Sequence, residues 1–449
     1  MKTPTLLLTL LPILAVAAPA QEGNVAVRAG RLLTPDGVIE NGTLVIRGGV
    51  IEAVGGPDLE VPFDVLLHEF PEATVFCGFA EAHSSLGLDR ANENVAVAPF
   101  LDVKDSIDPS SFYFEDELRG GTVAIGVIPG NSCVIGGRGR VLSPAGMTVE
   151  AMTLDDAMGM KMAIGPKRGW SRSAQLAELR EATDRLDHAL EALGRKLLDD
   201  GELRKDRERA LEELEDEEDD GDRWDSLGGF VRYGPDFPGK ELIAEEDLDD
   251  AQRGLVDILN GDERLWLWCP GPSDIYHGKS WAEEHELVEN VVFVVRSGAW
   301  KAAEMIAETG RPVVLIDGPW HVETDPLTHE EVRTFAPLKF HEAGVAFALG
   351  SQKGRMGPDR LSWQAATCVR EGVPPGVALA SVTTVPARLW GLEDRVSRLA
   401  EGADGSFVVL SGDPLDFNSQ VLEVWVRGDQ VYDREGDERL QRLLEGKQE

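Results

Sequence analysis

Short apolar runs and helical stretches alternate along the middle of this chain, and that alternation leaves few folds open. Residues 73–76, 121–127, 159–164, 265–268, 291–295, 312–316 and 345–349 each read as a buried strand. Helical stretches such as 300–309 fall between several of them. Strands alternating with helices over this length build a parallel α/β sheet covered by helices. A count near eight is that of a (β/α)8 TIM-type barrel. The ends have a different texture. Residues 25–28, 43–47, 50–54, 407–410 and 421–426 are β-rich and cut by turns such as Pro35-Asp36-Gly37, Gly48-Gly49 and Gly412-Asp413-Pro414. Both termini are therefore expected to supply one small β-sandwich-like composite domain, residues 21–73 and 393–440, around a barrel at 74–392.

Charge narrows the function classes. Asp and Glu number 80 against 44 Lys and Arg, a formal net charge of −36. Phosphate backbones and anionic membranes are repelled by such a field, so nucleic acid is excluded as the main partner. Residues 1–20 read as a secretory signal: Lys2 gives the positive start, residues 6–17 the apolar stretch, and Ala18-Pro19-Ala20 the cleavage signature. The expectation is export, to a periplasm or the exterior. No later segment reads as a membrane span. Cys77, Cys133, Cys269 and Cys368 lie far apart without a CxxC pair, which favours buried thiols over zinc ligands and leaves one or two bridges open.

One segment breaks the alternation. From Ser173, read as an N-cap, Leu176, Leu179, Leu186, Leu190, Leu193 and Leu197 follow steps of three and four, with Thr183 at the missing position. Gly201 ends the seam, and a second charged helix runs into the acidic stretch 212–220. Residues 170–250 are thus expected to form a charged helical hairpin inserted in the barrel. Local packing is the plainer role for the seam, and protein docking the alternative.

Several motifs in order resemble the amidohydrolase superfamily, in particular its imidazolonepropionase-like members with a composite β-domain. Residues 29–37 and 49–55 resemble that family's opening, and Gly78-Phe79-Ala80-Glu81-Ala82-His83-Ser84-Ser85 stands where it carries Gly-(Phe/Leu)-Ile-Asp-Ala-His-x-His. Val134-Ile135-Gly136-Gly137, residues 381–392 and Ser411-Gly412-Asp413-Pro414 are further matches. The resemblance implies a metal-dependent hydrolase of non-peptide C–N bonds. One or two divalent ions at the barrel mouth would lower the pKa of a bound water towards ~7. It also implies the ligands: His-x-His after strand one, Lys or Glu after strand four, His after strands five and six, Asp after strand eight.

Carried over residue by residue, that set is incomplete. His83 fills the first position and Ser85 the second. Residues 164–168 offer no Glu after strand four, and nothing marks Lys167 as a carbamylated bridge. Trp268 falls at the strand-five position, Ser297 at strand six and Gln352 at strand eight. A catalytic zinc normally has three protein ligands, and a Gln carboxamide is a negligible base near neutral pH. Two readings of different class follow. In the first, the chain is a non-catalytic homologue binding an unknown small molecule or protein in a pocket of His83, Ser85, Trp268, Ser297 and Gln352, with no cofactor expected and His83 a vestige. In the second, it hydrolyses C–N bonds through a relocated zinc site or without metal. His321, Glu323, Asp325 and His329 are the relocated candidates, with His277 and His285 after strand five, and Ser84 or Ser85 beside His83 the metal-free one.

Overall fold

The computed structural model describes residues 23–216, 231–234, 236–350 and 360–446. The segment 1–20, read as a signal, and Gln352 lie outside them. Strands β1 (Val25–Thr34), β2 (Gly37–Arg47), β3 (Val50–Gly55) and β4 (Leu66–Phe76) open the chain. The barrel strands follow as β5 (Phe79–Ser84), β6 (Thr122–Val127), β7 (Ile135–Leu142), β8 (Thr153–Ala163), β9 (Leu265–Trp268), β10 (Val291–Val295) and β11 (Val313–Leu315). A hairpin of β12 (Trp320–Thr324) and β13 (Glu331–Phe335) precedes the last barrel strand, β14 (Phe347–Leu349). The chain returns with β15 (Phe407–Leu410), β16 (Val421–Val426) and β17 (Asp429–Asp433).

The two ends share one seven-stranded sheet, ordered β17-β16-β15-β4-β1-β2-β3. Its seam is the antiparallel pairing of β15 with β4, so neither end completes the sheet alone. Phe407 stacks on Trp425 with ring centroids 5.5 Å apart, over a buried layer that includes Leu32, Leu44, Ile46 and Val75.

The barrel sheet runs β5-β6-β7-β8-β9-β10-β11-β14. The eight strands expected are present, with one departure from strict (β/α)8 order: β7 is antiparallel to both β6 and β8. Its register shifts between Ile135 and Arg138, and beyond that bulge Arg138 and Arg140 find carboxylates, Glu263 and Asp257 for one and Asp102 for the other. Between β14 and β5 the segment at Ser381–Val382 completes the ring. Leu349 N–H donates to the Ser381 carbonyl (3.0 Å) and Ala80 N–H to that of Val382 (2.8 Å).

Alternation along the strands sorts side chains into two layers. Met160, Met162, Leu265, Leu267, Phe293, Val313 and Leu315 pack outward against the helices. Ala163, Trp266, Trp268, Val292, Val294, Val314 and Ala348 form the inner layer. In register, Lys161 stands beside Trp266 and Ala163 beside Trp268, which places Lys161 in that inner layer.

The helix Arg172–Asp199 is capped by Ser171, whose side chain accepts from Ala174 N–H, two residues before the Ser173 expected. Leu179, Leu186, Leu190 and Leu197 are buried in the main core together with Val231, Leu242 and Ile243, so the seam packs on the chain itself. Gln175, also buried, donates to the carbonyls of Cys133 (2.7 Å) and Ala163 (2.8 Å), and Arg172 pairs with Asp274 at 2.7 Å. A second helix covers Gly201–Asp216. Residues 217–220 of the acidic run lie outside the described residues. No described helix is long and apolar enough to cross a membrane. Cys133, Cys269 and Cys368 are buried free thiols, and Cys77 is a half-buried one.

Gly159 tests the strand that carries Lys161. Its φ is +118°, and a Cβ there would stand 2.2 Å from the Arg264 carbonyl oxygen. Gly159→Ala is expected to lower unfolding free energy by roughly 1–3 kcal/mol, read as a shift of the urea midpoint.

Candidate functional site at the barrel mouth

The C-terminal ends of the strands bring His83, Lys161, Trp268 and Arg296 to one end of the barrel. His83, on β5, is 5% exposed and Lys161, on β8, is 0%. Lys161 Nζ lies 2.8 Å from His83 Nε2, and the imidazole tilts towards Trp266 at 6.3 Å between ring centroids. Trp266 is itself fixed by its indole N–H, which donates to the Met158 carbonyl at 2.9 Å.

Burial sets the protonation of this pair. Desolvation pulls the Lys161 ammonium down from 10.5 to about 7. Desolvation, and then the neighbouring Lys161 charge, hold the His83 imidazole well below its ordinary 6.5. Near pH 7 His83 is neutral, and in the tautomer protonated on Nδ1 its Nε2 lone pair accepts from the Lys161 amine. Glu81, two residues earlier on β5, is fully buried near the end of β14: a Cβ on Gly350 would come 3.3 Å from its Oε1.

The remaining predicted positions separate. Trp268 is buried at the end of β9. The Arg296 guanidinium lies over its ring, 5.4 Å from the centroid, and pairs with Asp317 at 2.9 Å. Ser297 starts a short 3-10 helix and is buried one residue later. After Val292 and Val294, alternation makes Arg296 the next inward position, so the side chain facing Trp268 is a cation. Ser85 is half-buried just past β5. Ser84 takes a hydrogen bond from Tyr113 Oη (2.8 Å) and accepts from Leu86 N–H (3.2 Å), which directs it to the helix Phe112–Arg119.

The relocated candidates do not converge. His321 and Glu323 share one face of β12 and sit 3.4 Å apart, with Lys301 also on Glu323. Asp325 accepts from Leu327 and Thr328 N–H groups, and His329 is an exposed turn residue with φ +59°. His277 meets Tyr276 edge to face, and His285 lies against Trp281 at the end of the helix Pro272–Glu284. Among the described residues no three His, Cys, Asp or Glu groups gather as a cation site.

These donors do not fit the divalent metal that the resemblance implies. Lys161 does stand on the fourth strand, where the resemblance implies a Lys or Glu, but its amine faces the Nε2 of His83; Trp268 offers only an N–H donor, and Arg296 brings positive charge where a cation would sit. Sequence reasoning missed Lys161. It took the fourth-strand group to lie in residues 164–168, whereas the inward-facing cation of that strand is Lys161. The signal was present, since Lys161 alternates with the apolar Met160 and Met162.

A cavity of about 260 Å³ lies beside this end of the barrel, under the loop after β5. Asp89, Glu93, Asp102 and Asp105 line it together with Arg90, and its floor includes Cys133 and Gly136. A Cβ on Gly136 would stand 3.1 Å from Lys161 Cβ, so this recess reaches the neighbourhood of the buried amine.

Comparison with known proteins agrees with this architecture. The family model described as Amidohydrolase family matches residues 344–432. The amidohydrolase tasK of Hapsidospora irregularis is 22% identical over 414 residues, covering 87% of this chain. The chain spans 40% of that protein's length. The crystal structure of an amidohydrolase from Thermotoga maritima MSB8 superposes with a TM-score of 0.69 at 23% identity, covering 91% of this chain and 100% of that one. The chain is thus similar to amidohydrolases along most of its length and shares their fold.

The buried pair makes stability depend on pH with a defined sign. Below about pH 7 Lys161 is charged in both folded and unfolded chains, and the fold carries the cost of a buried ammonium. As pH rises from about 7, the folded chain releases that proton first, so the unfolded state binds more protons and stability increases. Below pH 6.5 the neutral His83 adds a loss in the same sense. Urea titrations of wild type and Lys161→Met between pH 7 and 9 are expected to show a rise in wild type that the variant lacks.

Proposed function

We propose that this chain is an exported, non-hydrolytic member of the superfamily that keeps the barrel as a binding scaffold. One observation carries the reading: Lys161 Nζ stands 2.8 Å from His83 Nε2, the nitrogen that would bind a metal, in a rim whose next inward groups are Trp268 and Arg296. A zinc-bound water needs ligands that donate electron pairs to the metal. An indole N–H and a guanidinium donate protons instead, and both suit the acceptor groups of a bound molecule. The acidic side chains of the neighbouring recess favour a neutral or cationic ligand at this end. Export rests on the N-terminal segment of 20 residues.

Metal content tests the proposal. Protein purified without chelator is expected to carry well under one equivalent of zinc, manganese or iron by elemental analysis, with a melting temperature indifferent to EDTA. Ser85→His alone is expected to add neither metal nor amide hydrolysis, because the strand-five and strand-six positions still lack ligands. Stoichiometric metal in wild type, or hydrolysis restored by that one change, would contradict the proposal.

A further inference from the structure

The outer wall of the barrel meets the small sheet at a second cavity, of about 340 Å³, which shares no lining residue with the mouth. Arg119, Arg360 and Arg434 line it, with Ser362, Trp363 and Phe417. In a chain with 80 acidic residues, three guanidiniums around one recess call for an account of where their counter-charges lie.

Arg119 has its own. Its Nε is 2.5 Å from Asp437 Oδ2, and its Nη1 pairs with Asp116. Arg360 and Arg434 have none: among the described residues neither forms an ion pair or a side-chain hydrogen bond with a carboxylate. Arg360 is half-buried, and desolvation opposes its charge more than the attraction of Glu117 favours it, with repulsion from Arg119 adding to the cost. Among the described lining residues the carboxylate is Asp416, which accepts from the Asn418 backbone and side-chain amides. Arg138 and Arg140, shielded to a similar degree, each hold an acid at hydrogen-bond distance. A shielded guanidinium without a partner is costly, and such a group is relieved by an oxyanion that accepts its planar fork.

The apolar side of the recess is defined as well. Trp363 and Phe417 meet edge to face at 4.6 Å between centroids, 39% and 42% exposed. A cavity of this size holds a small molecule, and convergent polar groups against an aromatic wall are the usual makeup of such sites.

We propose that this recess binds a small organic oxyanion, a phosphate or carboxylate on a flat apolar body, with Arg360 and Arg434 on the anionic group and Trp363 with Phe417 on the body. The site is independent of the reading of the barrel mouth. The repulsive field of the chain is screened over about 10 Å at ordinary salt, so recognition is set by the guanidiniums at contact.

Calorimetric titration of the full chain with phenyl phosphate, benzoate and inorganic phosphate tests it. Saturable binding of phenyl phosphate or benzoate is expected, weakened roughly ten-fold or more by Arg360→Gln. Trp363→Ala is expected to weaken the aromatic probes while leaving inorganic phosphate unchanged. Should Arg360→Gln fail to fold by circular dichroism, Arg434→Gln gives the same reading from the other side of the recess. Absence of saturable binding by every probe, or binding unaltered in the folded arginine variants, would overturn the proposal.

Discussion

A lysine amine enclosed in the barrel against an imidazole nitrogen governs the chemistry of this mouth. An ammonium at 0% exposure loses its hydration, and among the described residues its partner at hydrogen-bond distance is His83 Nε2 at 2.8 Å. Two consequences follow. Burial brings the amine near neutrality at ordinary pH, and the contact engages the nitrogen through which His83 would otherwise bind a cation. The surrounding layer of Trp266, Val292, Val294, Val314 and Ala348 supplies the low-dielectric medium in which both hold.

Much of the barrel was legible in the sequence because its strands are uninterrupted apolar runs buried on both faces, as β9, β10 and β11 are. The reversed strand was not. Residues 135–142 carry three glycines and two arginines rather than an apolar run, and the pattern predicts no strand there; in the structure Arg138 and Arg140 pair with Glu263, Asp257 and Asp102. Lys161 escaped for a related reason: a charged residue in a weak strand reads as solvent-facing until its neighbours are known. At the strand-six position the alternation through Val292 and Val294 leads to Arg296, and Ser297 is buried one residue later. Four candidate metal ligands in residues 321–329 looked like a cluster in sequence. The β12–β13 hairpin keeps His321 with Glu323 and commits Asp325 to capping its own turn.

The helical insertion also takes its meaning from the barrel. Its leucine seam is covered by the chain's own Leu242 and Ile243, while Gln175 reaches the carbonyls of Cys133 and Ala163 at the strand ends. The long helix is therefore rooted beside the mouth, two residues along the strand from Lys161, and its apolar face is already used. What it presents outward is charge.

Nitrogen NMR of the His83 imidazole, with and without one equivalent of zinc, tests the account most directly. The expected spectrum near pH 7 is that of a neutral ring protonated on Nδ1, with an Nε2 resonance that added zinc leaves in place. An Nε2 resonance that moves with stoichiometric zinc would show the lone pair to be available to metal and would contradict the account.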